Sequence, residues 1–331
     1  MGSRLGALRQ TLSLSFLIVG TVVGAGFASG KEIAVYFSPM GWAAIGAAVL
    51  LAALFSWGFT RFFSFSRTIG AGGLSVAALV LMPKRPRVLS VLLGVNNAIV
   101  LASMLSAAAA LLPGLGIATA VLTYFAVFFG LKSLSKINAV LVPVILFMIV
   151  TAAVFGLGRP AAPPPVAPAG AGLAALNLPL YVSMNLGLAA GVLFSVAPDR
   201  RTARRASLLA SVLLGACILL LALAVYLQNK TDTDMPVLAL LPQGRWIYAA
   251  RFAVWAGIFT TVISVTFSLD TAAARLLPRK AARLFLLVAG GYCLSLVGFS
   301  RIVVYFYPLS GGIGLVLVLA VVLHGKKMQN A

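Results

Sequence analysis

The sequence predicts an all-α membrane protein of ten transmembrane helices, two of them discontinuous, in two inverted five-helix halves. Three observations carry this prediction. The 331 residues are 62% hydrophobic and only 9% charged, whereas a soluble domain is about a quarter charged. Apolar runs of about 20 residues recur from end to end, each enough to cross a hydrocarbon core of roughly 30 Å. The basic residues gather in short loops between those runs, as the positive-inside rule expects. A β-barrel would instead alternate apolar and polar residues, and this chain does not.

Span 1 runs from about Leu12 to Phe37 and is interrupted by Gly20, Gly24, Gly26 and Gly30. Each glycine costs roughly 1 kcal/mol in a helix interior relative to alanine, so the stretch from Gly20 to Glu32 is expected to break the helix. Gly-rich interior, Lys31 and Glu32 also argue against a cleaved signal peptide. Pro39-Met40-Gly41 turns the chain into span 2, Trp42 to Phe63. Thr68 to Met82 is shorter and lies between basic clusters, which suits a cytoplasmic interfacial or re-entrant helix. Span 3 covers Val88 to Leu112, span 4 Ile117 to Leu131, and span 5 Ile137 to Leu157. Arg159 to Gly172 is rich in Pro and Ala; Pro163-Pro164-Pro165 cannot continue a helix, so this is an external linker. Spans 6 to 10 follow: Ala174–Ala197, Ser207–Gln228, Trp246–Leu269, Ala282–Phe299 and Ile302–Leu323.

An inside N-terminus places Arg4, Arg9, Arg61, Arg67, the Lys84–Arg87 cluster, Arg200–Arg205 and Lys326-Lys327 in the cytoplasm, leaving few bases outside. Both termini are therefore expected inside, which requires an even number of spans. The linker divides the chain into residues 12–158 and 174–323, and an odd number of spans in each half forces the second to insert inverted. Span 6 then matches span 1. Its Pro179, Ser183, Asn185 and Gly187 mark a second candidate break, and matched breaks point to a transport site.

The phrase Gly20-Thr21-Val22-Val23-Gly24-Ala25-Gly26-Phe27-Ala28-Ser29-Gly30-Lys31-Glu32-Ile33 resembles the opening signature of the YkvI family of bacterial membrane proteins. That family belongs to the amino acid–polyamine–organocation superfamily, whose members share the ten-helix LeuT-type fold. The resemblance implies a secondary transporter and names no substrate. It also implies an ion site. Sodium-coupled proteins of this fold use carbonyls at the span 1 break with a carbonyl and two hydroxyls of span 8. The matching positions are the carbonyls of Gly20, Val23 and Gly257 and the hydroxyls of Thr260 and Thr261. Gly130-Leu131-Lys132 to Asn138 resembles the span 4–5 junction of amino-acid permeases. Some proton-coupled relatives carry a lysine further along span 5; Ile145 aligns there, which favours sodium.

A break exposes backbone N–H groups that suit a carboxylate. Gly24, Ala25, Gly26, Phe27, Ala28, Ser29 and Gly30 are the solute-binding candidates on span 1, and Tyr181, Met184 and Asn185 those on span 6. The competing readings are structural. The glycines form small-xxx-small packing patterns, Thr260 and Thr261 can bond back to their own helix, and Asn185 can bond to a neighbour. Glu32 is expected to pair with Lys31 or to gate with Arg301, and Asp270 to pair with Arg275 or another inner-face base. Asn96 and Asn97 are polar residues within span 3, and interhelical bonding is the simpler reading for them.

The charge of +20 follows from membrane topology rather than nucleic-acid binding. The arginines from Arg200 to Arg205 suit contact with lipid headgroups. Cys217 and Cys293 lie far apart in apolar segments, and the one histidine, His324, is in the tail, so neither a zinc site nor a catalytic set is expected and no cofactor beyond the sodium ion. The expected function is sodium-coupled transport of an amino acid or similar zwitterion across a bacterial inner membrane. Proton-coupled or uncoupled transport, or a nutrient receptor on the same fold, are the alternatives.

Overall fold

The computed structural model describes residues 2–129, 134–162, 171–242, 244, 246–274 and 277–329. Among them the chain is helical throughout, with no strand. Five helices are long and apolar enough to cross a membrane: Ser38–Thr68, Pro86–Leu111, Arg200–Leu227, Trp246–Asp270 and Phe299–His324. Shorter apolar helices cover Gly6–Val22, Leu115–Phe129, Leu141–Leu157 and Leu178–Leu193.

Span 1 is three helices, α1 (Gly2–Val22), α2 (Ala25–Ser29) and α3 (Lys31–Tyr36). The interruption is at Val23 and Gly24. Gly24 N–H donates to the Val22 carbonyl at 2.8 Å, so the Gly20 carbonyl loses the partner an unbroken helix would give it. The second joint is Gly30, at φ +83°, a left-handed conformation that glycine adopts without strain. A 3-10 turn (Ser38–Ala43) leads into α4 (Ala44–Thr68). Its inward face is a column of phenylalanines, with Phe55 and Phe59 stacked at 5.3 Å.

The expected interfacial segment is α5 (Gly73–Leu81), nine residues and too short to cross. α6 (Pro86–Leu111), α7 (Leu115–Phe129) and α8 (Leu134–Leu157) follow. The linker begins by returning to the bundle, where Ala162 N–H donates to the Leu227 carbonyl at 2.9 Å; its residues 163–170, the triple proline included, lie outside the described residues. So do residues 130–133 of the span 4–5 junction, Arg245 and Arg275.

Span 6 corrects the sequence expectation. α9 (Ala171–Leu193) is one continuous helix through Pro179. The Ser183 hydroxyl lies within hydrogen-bonding distance of the Pro179 (2.7 Å), Leu180 (3.1 Å) and Gly311 (2.9 Å) carbonyls. Side-chain bonding and packing thus hold the helix where proline weakens it. The chain unwinds only after Leu193, where the Phe194, Val196 and Pro198 carbonyls accept bonds from Gly73, Ser66 and Arg67.

α10 (Arg200–Leu227) is capped by Asp199, which accepts from the Arg201 and Thr202 N–H groups. The short α11 (Pro236–Leu240) precedes α12 (Trp246–Ala273) and α13 (Lys280–Ser295). α14 (Phe299–Arg301) and a π-helical turn (Ile302–Phe306) lead into α15 (Tyr307–Gln329). α15 crosses α9 on glycines. A Cβ on Gly314 would stand 2.0 Å from the Ser183 carbonyl oxygen, and one on Gly187 3.2 Å from Gly314 Cα, so the backbones touch as small-residue interfaces allow. Large apolar side chains such as Phe129, Phe147, Trp246 and Phe285 remain exposed, which suits a lipid-facing surface rather than a wet one.

Candidate functional site

The two joints of span 1 aim its residues at different partners. At the inner joint, a Cβ on Gly24 would lie 3.4 Å from Met104 Cε of α6 and 3.9 Å from Thr261 Oγ1 of α12. A Cβ on Gly257 would lie 2.8 Å from Ile145 Cδ1 of α8 and 4.0 Å from Ala28 Cβ. Gly20 packs against Val142 of α8 at 2.9 Å by the same measure. The break, span 5 and span 8 therefore meet at one place. The Thr260 and Thr261 hydroxyls both donate to the Gly257 carbonyl, each at 3.0 Å. This is the back-bonding that helical threonines favour.

At the outer joint, the left-handed Gly30 swings α3 so that Glu32 points back over α2. A Cβ on Gly26 would stand only 1.9 Å from Glu32 Oε1. Only the missing side chain at Gly26 makes room for the carboxyl. Glu32 is 4% exposed, and the Tyr181 hydroxyl of α9 donates to its Oε2 at 3.2 Å. Tyr307 of α15 faces the same carboxyl, and its hydroxyl is 2.8 Å from that of Ser103 on α6. The Tyr181 ring meets Phe37 edge-on at 4.9 Å and Tyr36 at 5.7 Å. Four helices thus converge on one carboxyl group.

Several expectations change. Glu32 pairs with neither Lys31 nor Arg301. Lys31 Nζ turns outward and donates to the Thr231 and Thr233 carbonyls at 3.3 and 3.0 Å, and Arg301 is exposed on α14. The left-handed Gly30 sets the direction of α3 as a whole, and the helical turn of about 3.6 residues then sends the adjacent Lys31 and Glu32 to different sides. Gly30 itself lies under α11, where a Cβ would stand 3.0 Å from Val237 Cγ2. Ser29 is enclosed and serves the joint: its hydroxyl donates to the Gly26 carbonyl at 3.2 Å and accepts from Lys31 N–H at 3.2 Å. Phe27, Ala28 and Met184 are buried; the Ala25 side chain lies outside the described residues. Asn185 bonds back to the Tyr181 carbonyl at 2.9 Å. Asp270 pairs with Arg283 at 2.6 Å, because the start of α13 brings that guanidinium against the C-terminal end of α12. Arg61 of α4 and Arg204 of α10 line a groove of about 500 Å³ with Trp57 and Leu208.

The sequence reading missed Tyr307 and Ser103. Tyr307 follows the π-helical turn, a feature often found at functional positions, but in the sequence it is one aromatic within an apolar run.

No known protein-family profile matches the chain. It is 28% identical over 338 residues to the uncharacterized membrane protein YkvI of Bacillus subtilis (strain 168), covering 92% of this chain and 93% of that protein. Its fold is similar to that of Mhp1, a nucleobase-cation-symport-1 family transporter, in a closed conformation with bromovinylhydantoin bound (TM-score 0.54, 14% identity, 89% of this chain and 72% of that one). It is also similar to a mutant of the Eremococcus coleocola manganese transporter (TM-score 0.51, 13% identity, 94% and 77%). Sequence and fold agree that the chain is a multi-pass membrane protein similar to YkvI, with the LeuT-type fold.

Proposed function

We propose that the chain is a secondary transporter that moves a small organic solute, an amino acid or related zwitterion, by alternating access with sodium as the coupling ion. The single observation that supports this best is the break at Val23 and Gly24 set against Thr261 of α12 and Ile145 of α8. It frees backbone groups in the middle of a membrane bundle, where they are tolerated only against protein or a cavity. The remaining architecture belongs to this reading: ten spans, inverted halves at residues 12–158 and 174–323 around the linker 159–173, and both termini on the inner face of a bacterial inner membrane. Arg61 and the Arg200–Arg205 loop would then face anionic lipid headgroups.

The carbonyls of Gly20, Val23 and Gly257 and the hydroxyls of Thr260 and Thr261 would hold the sodium ion. The donor set fits a hard monovalent cation. The Gly20 carbonyl is released from its helical bond, and each threonine that donates its hydrogen to Gly257 keeps oxygen lone pairs to offer. One fold relative is described with bromovinylhydantoin bound and the other as a manganese transporter, so the fold does not select the solute. No group of three or more His, Cys, Asp or Glu that could hold a metal occurs among the described residues, which favours an organic solute over a divalent ion.

Uptake of labelled amino acids into proteoliposomes tests the reading. Uptake should require an inward sodium gradient and lose that requirement, or stop, in Thr260→Ala with Thr261→Ala. Uptake indifferent to both the gradient and the substitutions overturns the sodium site. Absence of uptake across the amino acids overturns the solute class.

A further inference from the structure

Glu32 is the only glutamate in the chain and one of five acids. The other four have water, a cation or a helix terminus. Asp199 caps α10, Asp232 and Asp234 lie in the outer loop, and Asp270 is paired with Arg283. Glu32 has neither exposure to water nor a cation, only its own place in the first turn of α3. That single ion pair is the only one among the described residues, and Glu32 is enclosed at 4% exposure. The charged and titratable groups on the elements around it are few. On α3, Lys31 is committed to the outer-loop carbonyls, and Tyr36 is neutral at ordinary pH. α9 contributes Tyr181 and α15 contributes Tyr307. α2 and the facing part of α6 contribute no ionisable group, only Ser103, and α4 contributes Phe55. Tyr226 of α10 is turned to Gly41, and Arg301 and Tyr305 near the π-helical turn are exposed.

A carboxyl shut in such a place is costly to ionise, because burial disfavours the charge and no cation repays it. As a neutral acid it is well served. Its Oε2 accepts from the Tyr181 hydroxyl, and its own O–H is one more donor in a polar node closed off by Phe37, Phe55 and Tyr36. The carboxyl packs directly over Gly26, in the space a side chain there would fill.

We propose that Glu32 is a proton-binding site whose occupancy is tied to closure of the bundle. The carboxyl is neutral while α2 and α3 lie against α9 and α15. When they part, the carboxyl O–H bond breaks, the proton passes to entering water, and the carboxylate is left facing the opened site. A proton thus favours the closed arrangement and its loss the open one, by the reciprocity of linked equilibria. The proposal shares the broken helix with the transporter reading but not the sodium site, so either can fail alone.

Infrared spectroscopy of the full chain in lipid tests it without a substrate. With one glutamate in the chain, 13C at the glutamate side-chain carboxyl assigns the band directly. At neutral pH the protonated-carboxyl C=O stretch should be present, shift on labelling, and vanish in Glu32→Gln. If no label-sensitive protonated-carboxyl band exists at neutral pH, the proton site is refuted; labelling keeps this decisive even if Glu32→Gln fails to fold. Closure is read by alkylation of Met184→Cys in a Cys217→Ala, Cys293→Ala background. The rate should rise with pH, by up to about tenfold per unit as the ionised fraction does, and Glu32→Gln should remove that dependence beyond the reagent's own. The same pH dependence with and without Glu32 would overturn the link to closure.

Discussion

Glu32 lies directly over Gly26, with its carboxyl in the space a side chain at Gly26 would occupy: a Cβ there would be 1.9 Å from Oε1. Six positions apart in sequence, the two residues meet because Gly30 between them is left-handed at φ +83°. Gly26→Ala should therefore expel the carboxyl or part the helices, at a cost of about 1–3 kcal/mol, the usual penalty for overpacking. Glu32→Ala opens the same space, so the double variant should be more stable than the sum of the single effects allows. Chemical or thermal unfolding of the solubilised protein measures this coupling; simple additivity would mean that the two side-chain positions do not compete.

The other side chain at this joint predicts a latch on the loop before α11. Lys31 Nζ bonds two loop carbonyls, those of Thr231 and Thr233, and Ser300 bonds Asp234 in the same loop. Lys31→Met keeps the apolar stem and removes the donors. Hydrogen exchange of the amides in residues 229–235 should accelerate by an amount corresponding to about 1.5–3 kcal/mol, the range for bonds to charged groups. Unchanged exchange would show that the loop is held by its packing on Gly30 instead.

How far the sequence could be read depended on whether each signal was local. Span positions and the first break follow from hydropathy and from glycine spacing, and both act within a few residues. The expected break in span 6 rested on Pro179, Ser183, Asn185 and Gly187, and there tertiary structure prevailed: the Ser183 hydroxyl ties the Pro179 carbonyl of its own helix to the Gly311 carbonyl of α15, and Gly311 and Gly314 let α15 close against the helix. The direction of Glu32 could not be read, because it depends on how the left-handed Gly30 orients α3 as a whole. Tyr307 was hidden for a similar reason: the π-helical turn before it sets where the ring points.

α10 begins with arginines, which oppose the helix dipole, and Asp199 offsets them. Hydrogen bonds from Thr202 and Arg201 hold the Asp199 carboxyl below its ordinary value. A lowered folded value means that the cap contributes above the unfolded carboxylate range and is lost as pH falls through the folded one. Exchange protection of the Arg201 and Thr202 amides, corrected for intrinsic rates, should be constant at neutral pH and decline below about pH 4. Asp199→Ala should lack this step, and a step that persists in the variant would assign it to another group.

The Asp270–Arg283 pair joins the C-terminal end of α12 to the N-terminal end of α13, with side chains 9% and 7% exposed and the guanidinium also bonded to the Leu277 carbonyl. Removing one partner from such a pair strands a buried charge, so Asp270→Asn should destabilise by about 3–5 kcal/mol. Replacing both with apolar residues strands nothing. Asp270→Leu with Arg283→Met should therefore recover most of that loss, although it removes the same salt bridge. Unfolding midpoints of the three proteins decide the matter: if the double variant falls as far as Asp270→Asn, the attraction itself holds α12 to α13, and if it recovers, the single variant suffers chiefly from the charge left behind.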